Sequence, residues 1–364
     1  MEITIPHTDL INSLELVGRI STKNLTLPIL QCVLIEAKNG NITLKATNLE
    51  INIAVPIKGT IIEEGVVAVP AQTLLQSVQF ISQKEITLRV EEQVLQLETT
   101  SSNTSIKIFP ADDFPSTHQL TGEEITVNTN TFAYGIKSVA FSASVTSIKP
   151  ELGSVFIQQK KEHSLTMVAT DSFRLMEKTI PQKGLILDQS FMVPYKNALE
   201  LARVCDFVEE DAKLIVSENL CALKFPNGVY VSTRLITGSF PDYAQIIPKE
   251  YITHVTVLKE DLLRSFKKTN IFLNKFRQVS LTVTPSNLTV ASNNNEIGHT
   301  TDTIKAEVDG DEITLNFNQQ YVMDPLQYIQ DDSIKLSFAG IGRAVIMQGV
   351  NDKSLRYLVM PMNK

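Results

Sequence analysis

Asp171 and Arg174, three residues apart in the segment ATDSFRL, are the pair whose types and spacing could do the most chemistry. A carboxylate beside a guanidinium can hold a polar ligand, or it can be the ion pair that closes a strand into its turn. Other reactive side chains are spread thinly. His7, His118, His163, His254 and His299 have no partner at metal-ligand spacing and no H-E-x-x-H. Cys32, Cys205 and Cys221 form no C-x-x-C, which argues against a zinc site and a disulfide framework and leaves three small buried apolar side chains. Asp112-Asp113, Glu209-Glu210-Asp211 and Asp309-Gly310-Asp311-Glu312 fall where turns are expected. Carboxylates there are solvated and lack the rigid backing that acid-base or metal chemistry needs. No G-x-x-x-x-G-K-[ST], Ser-x-x-Lys or G-x-S-x-G occurs, and GIGRAV at 340–345 has two Rossmann glycines but sits between strands. The chain offers no catalytic constellation.

The elements that would position Asp171 and Arg174 occur three times. ITLKATN starts at Ile42, LTMVATD at Leu165 and LTVASNN at Leu288, two intervals of 123 residues. VPAQTLLQSVQFI, VPYKNALELARVC and FNQQYVMDPLQYI start at 69, 193 and 317, two intervals of 124. The first set alternates apolar and polar residues into a turn-forming tail, as a half-buried strand does, and the second has helical spacing. Three tandem copies of one unit follow, with expected boundaries at 1–120, 121–247 and 248–364. In the first copy a helix is expected over 7–20, capped by Thr8 or Asp9, with Leu10, Leu14, Val17 and Ile20 on one face. Strands from Leu27 and Asn41 meet at Asn39-Gly40, a hairpin signal. A second helix runs from Pro70 to Ile81, and strands lead to the linker PADDFPS. The other copies repeat this order, with second helices at 195–205 and 319–329. Two helices amid about eight strands per copy make an α+β fold, antiparallel sheets on one side and helices on the other.

A chain of 364 residues, 43% hydrophobic and 20% charged, has the composition of an ordinary globular protein with room for three cores. Its first residues show no signal-peptide pattern, and no apolar run is long enough to span a membrane, so a cytoplasmic location is expected. The net charge of −7 would count against nucleic acid, but the six helical segments together carry +2 and the remainder −9. Helices on one surface would make it mildly positive within an acidic shell; ordinary solvated helix faces would look the same.

TLPIL at 26–30, VPA at 69–71, PADDFP at 110–115, KPEL at 149–152, ATDSFRL at 169–175, FPDY at 240–243, KFR at 275–277, YVMD at 321–324 and YLVMPM at 357–362 resemble, in order and spacing, the bacterial DNA sliding clamps, the beta subunits of DNA polymerase III. The resemblance covers essentially the whole chain, and the threefold repeat is independent support. It implies a non-catalytic processivity factor without cofactor or metal. Such a clamp is a head-to-tail homodimer whose six domains close into a ring around double-stranded DNA, helices inward and sheets outward. It binds without sequence readout, and its partners are the replicative polymerase, the clamp loader and other proteins bearing a short clamp-binding motif.

The resemblance also implies sites. DNA-facing residues would be Lys137, Lys196, Arg203, Arg264, Lys267 and Lys268, with loop residues Lys23 and Lys149. The dimer interface would set Ile106 and Ile108 against Ile271, Phe272 and Leu273. The partner-peptide pocket would be formed by Leu152, Thr170, Arg174, Leu175, Pro241, Asn318, Tyr321, Val345, Met360, Pro361 and Met362. Ser172-Phe173 stands where Gly-His is frequent in the family, and Ala244-Gln245 follows FPDY where Arg is often found. A small-molecule enzyme centred on Asp171 and Arg174, and an acidic adaptor without DNA, are the competing readings.

Overall fold

The computed structural model describes residues 1–21, 25–99, 102–117, 119–187 and 189–362. Among the described residues there are six α-helices: α1 His7–Gly18, α2 Ala71–Gln79, α3 Thr129–Ala140, α4 Tyr195–Val208, α5 Lys259–Thr269 and α6 Gln319–Met323. The strands form four sheets, every pairing antiparallel, so the α+β expectation holds.

One compact unit comprises Met1–Asn130 and Glu200–Leu235. A five-stranded sheet runs from the edge strand Thr60–Glu63 to the edge strand Asn103–Lys107. In the eight-stranded sheet, Tyr230–Arg234 pairs with Ile51–Ile57, Val231 opposite Ile53, so strands of the first and second repeats share one hydrogen-bonded layer. α1 buries Leu10, Leu14 and Val17, spaced to lie along one face. Each such side chain contributes roughly 1.5–3 kcal/mol. Its N-cap is Pro6, with no side-chain cap, in place of the expected Thr8 or Asp9. Pro6 ends the first strand at a φ of −58°, so the helix starts directly from the sheet. The Asn39-Gly40 turn has φ of 52° and 76°, the left-handed pair a two-residue hairpin requires, with Lys38 opposite Asn41. Residues 28–31 form a 3-10 turn ahead of the strand Cys32–Lys38, in place of the strand that the sequence predicts from Leu27; Pro28 sets the turn.

The second unit comprises Thr131–Leu199 and Ile236–Lys364. Its nine-stranded sheet joins the second and third repeats where Arg174–Pro181 pairs with Leu355–Val359, Met176 opposite Tyr357. Tyr357 is fully buried there. The segment after Phe240 lies over one face of this sheet: Phe240, Tyr243, Ile247 and Tyr251 pack with Val168, Leu175, Ala344, Ile346, Leu358 and Met360. A four-stranded sheet, edged by Gly298–Lys305 and Ile313–Asn318, carries α5. The helix expected over 319–329 is shorter: α6 stops at Met323 and a 3-10 turn, Asp324–Gln327, follows because Pro325 cannot continue the ladder.

Candidate functional site

Several of the expected pocket residues lie in or beside the turn between the strands Ser164–Thr170 and Arg174–Pro181. Asp171 Oδ1 accepts the N–H groups of Phe173 and Arg174, each at 2.9 Å, and Thr170 Oγ1 donates to the Arg174 carbonyl at 2.7 Å. Ser172 takes the left-handed conformation, φ 76°, that glycine adopts most cheaply. The turn leaves Phe173 61% exposed and aims Arg174 inward.

The Arg174 guanidinium spends its donors inside the protein. Nε donates to Asp171 Oδ2 at 2.9 Å, Nη1 to Asp324 Oδ2 at 2.5 Å and Nη2 to the Phe141 carbonyl at 2.8 Å. It lies 4.4 Å from the Tyr321 ring centroid, and its side chain is 12% exposed. Of the two roles that spacing left open for Asp171 and Arg174, the geometry is that of an ion pair, extended to a second carboxylate. Its fixed charges align the Tyr321 ring.

The C-terminal strand ends at Val359, after which Met360 N–H donates to the Phe173 carbonyl at 2.8 Å and Met362 N–H to the Asn316 carbonyl at 2.7 Å. Residues 360–362 thus cross from the Thr170–Arg174 turn to the strand Ile313–Asn318, half-buried throughout. Met360 packs against the apolar cluster that contains Leu175. Of the other expected pocket residues, Pro241 is exposed, and Leu152, Asn318 and Tyr321 are half-buried. Thr170, Leu175 and Val345 are interior, at 5%, 0% and 2% exposure, so they support the surface from beneath.

Two groups escaped the sequence reading. Asp324 holds Arg174 from 150 residues away, with no local signal. Glu177, Tyr243 and Lys160 form a second tie: Tyr243 Oη donates to Glu177 Oε2 at 2.6 Å, and Lys160 Nζ reaches the same oxygen at 2.6 Å. Burial pushes the Glu177 carboxyl up, but the bonds from Lys160 and Tyr243 win and hold it below the ordinary range. Burial, then Glu177, raises the Tyr243 hydroxyl well above its usual value. This tie fastens the segment containing Phe240 and Pro241 to the sheet; the FPDY motif was its one visible sign.

The expected basic residues differ in how free their charges are. Lys149, Lys196 and Lys267 are exposed, and Lys137 is half-buried. Arg203 gives Nε to Glu200 Oε2 at 2.7 Å and Nη2 to the Leu16 carbonyl at 2.8 Å, which caps the last turn of α1. Arg264 pairs with Asp261, and Lys268 Nζ sits 2.7 Å from Asp302. Lys23 lies outside the described residues.

At the expected interface, the strand Asn103–Lys107 and the strand Gly298–Lys305 are both sheet edges, the kind of strand that can pair with another chain. Ile106 is 4% exposed, inside its own layer, and Ile108 is half-buried. Ile271 is 67% exposed and Phe272 and Leu273 are half-buried. Gly298 packs beside the Phe272 ring, and its φ of 123°, not space, is what calls for glycine, since a Cβ there would meet the ring at an ordinary 3.5 Å.

Among the described residues no three His, Cys, Asp or Glu side chains gather as a metal site, and no helix is long and apolar enough to cross a membrane.

Three family models match in succession: the N-terminal domain of the DNA polymerase III beta subunit over residues 1–118, its central domain over 126–242 and its C-terminal domain over 244–363. The beta sliding clamps of Salmonella typhimurium and Escherichia coli are each 26% identical over 366 residues, covering both chains fully. The crystal structure of the DNA polymerase III beta subunit of Thermotoga maritima superposes with a TM-score of 0.94 at 23% identity, over 100% of this chain and 99% of the other. The Bacillus subtilis DNA polymerase sliding clamp gives 0.93 at 23% identity over the same shares.

Proposed function

The chain belongs to the family of the DNA polymerase III beta subunit, and from that premise we propose how its own residues serve a sliding clamp. The protein is a non-catalytic processivity factor of DNA replication. It acts as a homodimeric ring that encircles duplex DNA and tethers the polymerase. The observation that carries this reading is the succession of three family matches along a chain whose own sequence repeats three times. In our reading the units run over 1–120, 121–247 and 248–364, and the protein works in the cytoplasm.

Sliding needs weak contact. Lys149, Lys196 and Lys267, being exposed, meet phosphates through solvent without reading bases, and Lys137 and Lys23 serve the same role. Arg203, Arg264 and Lys268 lend a softer field because acidic neighbours offset their charge. Retention comes from closure of the ring, so the net charge of −7 is no obstacle.

Partner peptides dock where the Phe173 ring, Tyr321, Pro241 and the terminal Met360, Pro361 and Met362 meet the surface. Methionine is flexible and polarisable and suits a site that accepts several apolar sequences. The ring closes by Ile271, Phe272 and Leu273 of one protomer meeting the Ile106–Ile108 edge of its partner. Ile108 gives the larger contact because Ile106 is committed to its own core.

Mass in solution tests the ring. The chain of 40.5 kDa should sediment as two copies, and Ile271→Asp with Phe272→Asp should give one, since burying unpaired charge costs several kcal/mol as an order of magnitude. A wild-type monomer at micromolar concentration would remove the ring, and a dimeric variant would remove this interface.

A further inference from the structure

The repeat register singles out a loop with no role so far. Lys23 and Lys149 lie between the first helix of their repeat and the next strand, and Lys275 holds the corresponding place in the third repeat. The two intervals are equal, 126 residues each. Lys275 opens the triplet Lys275-Phe276-Arg277, exposed at all three positions, between the turn that follows α5 and the strand Gln278–Thr284.

This loop is rigidly built. Asn274 Oδ1 accepts the N–H groups of Phe276 at 3.0 Å and Gln278 at 3.2 Å, and its carbonyl accepts that of Arg277 at 2.9 Å. Arg277 adopts a left-handed φ of 54°, and its carbonyl accepts the first N–H of α6, from Gln319, at 2.8 Å. Backbone held at both ends fixes where the two side chains leave the surface. Lys275 Nζ lies 5.1 Å from the Phe276 ring centroid, so the ring backs the lysine stem. Arg277 donates once, to Gln320 Oε1 at 3.2 Å, leaving the rest of its fork to solvent. Arg203, Arg264 and Lys268 each have a carboxylate partner; among the described residues neither Lys275 nor Arg277 has one within ion-pair distance.

We propose that Lys275 and Arg277 form a phosphate-contacting loop for duplex DNA, the third-repeat counterpart of the Lys23 and Lys149 loops. Two uncompensated cations on a fixed turn hold backbone phosphates without reading sequence, and Phe276 positions the lysine. The inference rests on the reading that the ring holds duplex DNA.

The test is equilibrium binding of the full-length dimer to a short, labelled, blunt duplex across a salt series. Lys275→Gln with Arg277→Gln should lower the magnitude of the slope of log K against log salt by about 2 and weaken binding about tenfold at the lowest salt. Lys275→Gln alone, whose side chain makes no hydrogen bond, should give about half that change in slope. Lys183→Gln with Lys249→Gln removes the same charge from two exposed lysines elsewhere and should leave the slope alone. A wild-type slope in both loop variants, or an equal loss in the control, would overturn the assignment. Failure of the ring itself reads out separately, as a wild-type protein that closed circular DNA does not retain.

Discussion

Arg174 Nη1 lies 2.5 Å from Asp324 Oδ2, an ion pair that joins the Thr170–Arg174 turn of the second repeat to the 3-10 turn after α6 in the third. Both side chains are largely out of water, at 12% and 16% exposure, so the pair is screened little. Asp324→Ala should therefore destabilise the protein by about 2 kcal/mol, in the range for hydrogen bonds to charged groups. It should also loosen Tyr321, which stacks on the same guanidinium. Urea unfolding of wild type and variant measures the first effect, and a loss below about 0.5 kcal/mol would show that Asp171 alone suffices.

Ser172 gives an effect of the opposite sign. Its φ of 76° burdens a residue with a Cβ and suits glycine. Ser172→Gly should raise stability by about 1 kcal/mol and leave the Phe173 carbonyl in place for Met360. A thermal melt that moves down would mean that the serine makes a compensating interaction.

Much of this is legible in the sequence. Equal intervals exposed the three repeats, and Asn39-Gly40 announced its hairpin. Pairs closed by tertiary structure were not legible, because nothing near Asp324 points to residue 174. The same holds for Arg203, which reads as a free cation on a helix face until the fold brings the Leu16 carbonyl to it. Local rules misled where a proline outranked them. Pro6 took the cap position expected of Thr8 or Asp9, and Pro325 shortened the last helix. Spacing placed Asp171 and Arg174 together but left open their role, which the second carboxylate decides.

The Glu177 tie has a pH signature. Its carboxyl is held below its ordinary 4.5, so it binds a proton less readily folded than unfolded. The stability it contributes is present in full above that ordinary value and is lost as pH falls through the lower folded one. Wild type should exceed Glu177→Gln in stability at neutral pH, with the gap closing below pH 4.5. Denaturant titrations at several pH values follow this, and a gap independent of pH would show that the ionised form contributes nothing.

Met360 and Met362 should matter to partners more than to folding. Burying one such side chain in a complex is worth roughly 1.5–3 kcal/mol, so Met360→Ala with Met362→Ala should weaken a polymerase-derived clamp-binding peptide about a hundredfold. The dimer should persist. Calorimetric titration with the peptide reads the loss, and wild-type affinity in the variant would place the pocket elsewhere.

The central claim is that this chain holds DNA by closing around it. The direct measurement is retention of clamp loaded on nicked circular duplex by its ATP-dependent loader, followed by gel filtration in high salt before and after the circle is cut. Encirclement requires that the clamp stay on the circle in high salt and be lost when linearisation gives it an end to slide from. Dissociation from the intact circle with the same steep salt dependence as from linear DNA, the behaviour of a surface-bound protein, would contradict it.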